Sequence, residues 1–149
     1  DVVEYIAYGA VVASANLAKT GDTMTGNLTV NADLIVTGYK ETYIDNGNTG
    51  TQKTIQISNS TVQTYTLSNN CQFVMPALEA GRSFTLFLKT GTTGGFTATF
   101  TDALGNSTVK FPGGNSQPSL TTDANRMDLI TFACDGDYWY ANVVQEYHV

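Results

Sequence analysis

The chain has 149 residues, 13% of them charged, and a formal net charge of −6. Few and scattered Lys and Arg argue against nucleic acid or an anionic membrane as partner, since both draw on clustered basic residues, and no run of about 18 apolar residues offers a membrane span. Charge at about half the usual quarter, with Thr, Asn, Ser, Gln and Gly supplying the polarity, is the composition of a turn-rich all-β protein, or of a multi-chain β assembly in which buried charge would be costly.

The length allows one domain with a core, or a small domain carrying an extended arm. The sequence starts at Asp1 without Met and is expected to be a processed or partial chain. Residues 2–18, VVEYIAYGAVVASANLA, place Val3, Ile6 or Ala7, Ala10, Ala13 and Leu17 on one helical stripe. A short helix or helical linker is expected there, with small residues that let copies approach closely and Gly9 weakening it by about 1 kcal/mol relative to Ala.

The next stretch, TGDTMTGNLTV, carries two turn signals and then a very short apolar triplet. DLIV follows NLTV at a short step, each behind a polar turn. Strands this short bury too little within one chain. They are expected to wrap with neighbouring chains around a thin core, with Met24, Leu28, Val30, Leu34 and Val36 as the stalk residues.

From residue 39 the strands lengthen. Residues 39–44 form one, closed by the turn-rich 45–50. Residues 53–57 put Ile55 and Ile57 on one face, and 63–67 do the same with Tyr65 and Leu67. Residues 71–75 run into Pro76. In 83–88, Phe84, Leu86 and Leu88 point inward; 91–95 has the look of a hairpin connection; in 96–101, Phe96, Ala98 and Phe100 share a face. A short strand at 109–111 stops at Pro112-Gly113-Gly114, and the last two strands, 129–132 and 138–144, are joined by the hairpin signal Asp135-Gly136-Asp137. About ten short strands at this spacing imply an antiparallel β-sandwich, jelly-roll-like, over residues 39–149, with residues 1–38 as an N-terminal connector or stalk.

Two stretches taken together resemble the tail-fibre and related virion proteins of tailed bacteriophages. LAKTGDTMTGNLTV is similar to a TMTG-type segment that recurs in tail fibres. VKFPGGNSQPSLTTDANRMDLITFACDGDYWYANV resembles a C-terminal motif of such proteins, carried here by Pro112, Gly113, Gly114, Pro118, Leu120, Thr121, Asp128, Thr131, Phe132, Asp135, Gly136, Trp139 and Tyr140. The resemblance implies a virion structural protein, a homotrimeric fibre or fibre-like appendage contributing to host attachment. It would be assembled in the host cytoplasm with other phage structural proteins and exposed on the particle surface. A capsid head fibre or decoration protein is the alternative within that class; a carbohydrate-binding module or glycan hydrolase is the alternative outside it.

The chemistry-bearing residues have plain structural readings. The single His148 lies next to the last residue, so no His-based triad is expected. Asp45, Asp135 and Asp137 sit in turn signals, and Asp135-Gly136-Asp137 lacks the ligand spacing of an EF-hand. No enzyme, cofactor or metal site is expected. Cys71 and Cys134 are expected as free thiols in strands, with a disulfide as the alternative. Alternation puts Trp139 opposite Tyr138 and Tyr140, so Trp139 is expected in the core and the tyrosines on an exposed or inter-chain face. Contacts to a receptor such as a host cell-surface glycan, or to a neighbouring chain, are expected on those tyrosines and on the loops 45–50, 91–95 and 113–117, through Asn46, Asn48, Thr92, Thr93 and Asn115.

Overall fold

A computed structural model describes residues 28–114 and 117–149. The expected helix at 2–18, the turn at 20–27 with Met24, and Asn115 lie outside the described residues. The chain divides into two units, Asp1–Gly38 and Tyr39–Val149.

The second unit is all-β. Its strands are β1 (Tyr43–Asn48), β2 (Gln52–Thr54), β3 (Val62–Thr66), β4 (Cys71–Val74), β5 (Ser83–Lys89), β6 (Ala98–Thr101), β7 (Val109–Lys110), β8 (Arg126–Cys134) and β9 (Trp139–His148), with a 3-10 turn at Pro112–Gly114. They form a six-stranded sheet in the order β1-β3-β5-β8-β9-β7 and a three-stranded sheet in the order β2-β4-β6.

The first six strands alternate between the two sheets. β1, β3 and β5 pair in parallel in the large sheet, and β2, β4 and β6 pair in parallel in the small one. The chain therefore makes three circuits of a coil, each laying down one strand per sheet. A circuit takes roughly 20 to 27 residues, the short end of the range for solenoid repeats, and three repeats is the number such a stack needs. β8 then pairs antiparallel with β5, and β9 with β8, closing the large sheet beyond the third circuit.

The expectation of an antiparallel, jelly-roll-like sandwich is thus corrected in its strand directions: antiparallel pairing is confined to β5–β8–β9. Three local expectations change with it. Residues 91–95 are a crossover between sheets and not a hairpin. Residues 45–48, read as turn, belong to β1, where the Asp45 carboxylate accepts the Gly47 N–H at 2.9 Å and a register shift absorbs the irregularity. Residues 28–30 and 34–36 belong to no sheet, and Leu28, Val30, Leu34 and Val36 are exposed; a strand needs a partner for its N–H and C=O groups, and none within the described residues provides one.

The core lies between the sheets. Tyr65, Leu67, Phe84, Leu86, Leu88, Ile130, Phe132, Trp139 and Ala141 come from the large sheet or its continuations; Ile55, Cys71, Phe73, Met75, Ala98 and Phe100 come from the small one. Phe73 and Phe100 are register partners with stacked rings, and Phe84 and Phe132 repeat the arrangement in the large sheet. Phe100 and Phe132 join the two stacks at 5.6 Å. Trp139 is fully buried, packs edge-on against Phe84, and donates its indole N–H to the Pro76 carbonyl at 3.1 Å.

The Thr- and Ser-rich composition is used at the corners of the coil. Thr49, Ser60 and Thr90 are buried there. The Thr49 hydroxyl accepts the Ser68 N–H at 3.2 Å, and the Thr90 hydroxyl accepts the Arg126 N–H at 2.9 Å. Ser60 donates to the carbonyls of Thr42 and Val62. A buried corner leaves backbone groups without ladder partners, and short hydroxyl side chains supply them without introducing charge. Asp128 has a related task. It is buried, and its carboxylate accepts the Thr121 N–H at 2.7 Å and the Glu146 N–H at 3.2 Å, tying the 118–122 segment to the irregular end of β9.

Candidate functional site

In a coil, the turns that follow equivalent strands stack on one another. The turns after β1, β3 and β5 do so here and line a depression of about 380 Å³. Asn48 comes from the first circuit, Thr66, Leu67 and Ser68 from the second, and Gly91, Thr92, Thr93 and Phe96 from the third. Its volume lies at the low end of small-ligand sites.

The third turn is anchored. The Gly95 N–H donates to the Thr122 carbonyl at 2.7 Å, and the Asn125 N–H to the Gly91 carbonyl at 3.2 Å. Gly94 has φ +65, and a Cβ there would meet the Thr122 carbonyl oxygen at 2.6 Å and the Ala124 nitrogen at 2.8 Å. Only glycine allows this close approach, and it fixes the loop that presents the exposed side chains of Thr92 and Thr93. Phe96 is half-buried at the end of that loop. No lining residue is ionisable, so recognition here would rest on hydroxyl and amide hydrogen bonds and one aromatic face.

Of the residues expected to contact a receptor, the coil brings Asn48, Thr92 and Thr93 together. Asn46 lies on β1, with its amide donating to Gln63 at 3.3 Å. Tyr138 and Tyr140 are exposed beside the β8–β9 turn, on other elements than the depression. The Lys110 ammonium sits 4.2 Å from the centre of the Tyr138 ring. Tyr140 hydrogen-bonds the Asp135 carboxylate, which raises the phenol's pKa. Asp135 also accepts the N–H groups of Tyr138 and Asp137, both at 2.8 Å. Those bonds, the one from Tyr138 above all, lower its pKa.

In the third expected loop, residues 113–117, Gln117 is committed to the core architecture. Its side-chain amide accepts the Phe100 N–H at 2.9 Å and donates to the Phe100 carbonyl at 3.3 Å, standing in for a neighbouring strand at the β6 edge. Sequence reasoning placed Phe96 in the core and gave Ser68 no role. The signal that would have found them is the repeat itself, which registers Asn48, Thr66 and Lys89 on successive circuits and so stacks the turns that follow them.

Several other ionisable groups have structural partners. Asp102 accepts the N–H groups of Leu104 and Asn106 and the Asn106 amide. Glu79 pairs with Arg82 at 3.0 Å, and Glu41 accepts the Thr61 hydroxyl. Among the described residues no three His, Cys, Asp or Glu side chains gather as a metal site. Cys71 and Cys134 are free and buried. The Tyr65 hydroxyl donates to the Gln63 side-chain carbonyl at 3.2 Å, and burial raises the pKa of both Tyr65 and Cys71.

Comparison of the chain with protein-family models, with curated proteins and with solved structures gives no match.

Proposed function

We propose that the chain is a non-enzymatic structural protein of a bacteriophage particle, a tail fibre or fibre-like appendage that forms a homotrimer and contributes to attachment at a host-surface glycan. The observation that carries the attachment role is the depression shared by three stacked turns, uncharged and lined by Asn48, Ser68, Thr92, Thr93 and the ring of Phe96. A sugar offers hydroxyl groups and apolar C–H faces, and a neutral site of amides, hydroxyls and one aromatic ring matches both. The fibre class is supported by the TMTG-type segment and the C-terminal motif. Several of that motif's residues have defined places in the fold: Phe132 and Trp139 in the core, Asp128 under the end of β9, and Asp135 in the β8–β9 turn.

Binding at one open depression is weak, and three copies on one particle convert it into useful avidity. The test is glycan-array binding of the full chain beside a Ser68→Trp variant that fills the depression. Native mass by light scattering is measured on the same samples. Three copies of the 16.0 kDa chain give about 48 kDa. Multimeric wild type with glycan signal lost in Ser68→Trp supports the reading. Turnover of the bound glycan would move the protein to the hydrolases, and antibody labelling on the capsid of intact particles would make it a head fibre or decoration protein.

A further inference from the structure

We infer that the outer face of the six-stranded sheet is the surface through which copies of this chain meet, an inference that rests on the assembled-fibre reading above. Inward-pointing Leu86, Leu88, Ile130 and Phe132 fix the opposite direction for Phe87 and Leu129. The register then lines up one continuous row across the sheet: Thr64 opposite Phe87, Phe87 opposite Leu129, and Leu129 opposite Val144. The next row carries Met127 opposite Tyr147. At the β3 end of the row Thr64 is buried and its hydroxyl accepts that of Tyr43 at 3.0 Å, whereas Phe87 and Leu129 are half-buried and Val144 and Tyr147 are 44% and 42% exposed, so among the described residues the ridge from Phe87 to Val144 is not covered.

Two properties select a second copy as the occupant. The first is charge. In the three rows that run through Asn142, Val144 and Tyr147, the ionisable acids and bases are Asp45 and Lys89, of opposite sign. The chain as a whole carries −6. Like-charged copies can approach closely only through a face without net charge, and a basic partner would gain nothing by binding there. The second is area. Five strands of six, five, seven, nine and ten residues, spaced about 4.8 Å apart and rising about 3.4 Å per residue, give a face of roughly 600 Å² before side-chain relief. A stable interface uses about 800 Å² per partner.

The full chain carrying Thr131→Glu and Val144→Glu tests this, because both positions are exposed and outward-facing. Leu104→Glu, on the exposed turn held by Asp102, is the control. Circular dichroism and Trp139 emission report folding. The expected result is a wild type and a control near three times 16.0 kDa and a folded double variant at 16.0 kDa. A folded double variant that keeps the multimer overturns the face and leaves the fibre reading standing. A monomeric wild type overturns both. A Thr131→Cys chain, otherwise native, gives a second measurement that does not depend on the double variant folding. Protection of that thiol from maleimide in the multimer is expected. Free labelling in the multimer overturns the inference, and so does protection in a monomer, which would show the chain's own remaining residues covering the face.

Discussion

Phe73 on β4 and Phe100 on β6 lie directly opposite each other, with ring centres 5.3 Å apart and planes inclined by 15°. Parallel strands in register place like side chains one above the other, so consecutive circuits can build an aromatic stack through the core. Both residues are fully buried. Truncating either to Ala is expected to destabilise the fold by about 3 to 5 kcal/mol. A stacking term of about 0.5 to 1.5 kcal/mol should appear as coupling between the two. Urea unfolding of both single variants and the double variant measures it; strict additivity would show that the rings pack independently.

Trp139 seals the other end of the core. Trp139→Ala is expected to cost roughly 3 to 5 kcal/mol. Trp139→Phe retains ring packing against Phe84 but leaves the Pro76 carbonyl without its donor, and should cost less. Equal losses in the two variants would assign the stability to the indole hydrogen bond. A Trp139→Ala chain that stays folded and multimeric but loses glycan binding would move the sugar site to this residue.

Gly94 and Gly47 both have φ +65, yet only Gly94 has backbone within reach of an added Cβ. Gly47→Ala is expected to cost about 1 to 2 kcal/mol, the price of a left-handed conformation alone. Gly94→Ala should cost roughly 2 to 4 kcal/mol, because the loop must also leave the Thr122–Ala124 backbone. Hydrogen exchange at the Gly95 amide, bonded to Thr122, should accelerate in Gly94→Ala and stay unchanged in Gly47→Ala.

Asp102 and Asp135 have pKa values lowered by hydrogen bonds in the folded chain, from the Asn106 side chain first for Asp102 and from the Tyr138 N–H first for Asp135. Their unfolded value is about 3.9. A lowered folded value means that each contributes stability present above the unfolded value and lost as pH falls through the folded one. Stability followed from pH 5 downward should therefore decline below about pH 4, and the slope should flatten in an Asp102→Asn, Asp135→Asn chain. Tyr140 has the opposite sign: its raised pKa gives a contribution present below the ordinary phenol range and lost as pH rises through the folded value. An unchanged acid slope in the double Asn variant would show that these turns form equally well in the unfolded chain.

Much of the strand content was legible because it is written locally. The alternation of Phe84, Leu86 and Leu88 identified β5 and its inner face, Asp135-Gly136 identified the β8–β9 turn, and the period of 2 assigned Trp139 to the core. The pairing scheme was not legible. Each circuit contacts the next at a separation of about 20 residues or more, and the circuits differ in length and sequence, so no periodic motif marks them. The candidate site shared that difficulty. Thr92 and Asn48 could be named as loop residues, but their meeting with Ser68 and Phe96 depends on the stacking of circuits. At β1, Asp45 and Gly47 carried a strong turn signal, and the sheet absorbed it as a bulge beside β3.

The two ends of the coil are not equivalent. Beyond the third circuit, β8 and β9 continue the large sheet, and the Gln117 amide occupies the edge of the small one. At the first circuit, β1 and β2 are the outermost strands of their sheets. The scaffold therefore has a growing end and a finished end. A sequence duplication that added a circuit ahead of β1 would lengthen the module and extend its row of stacked turns by one, while the terminal cap, with its aromatic core and its anchored loop, stayed as it is. Length could change by whole circuits without any redesign of the cap.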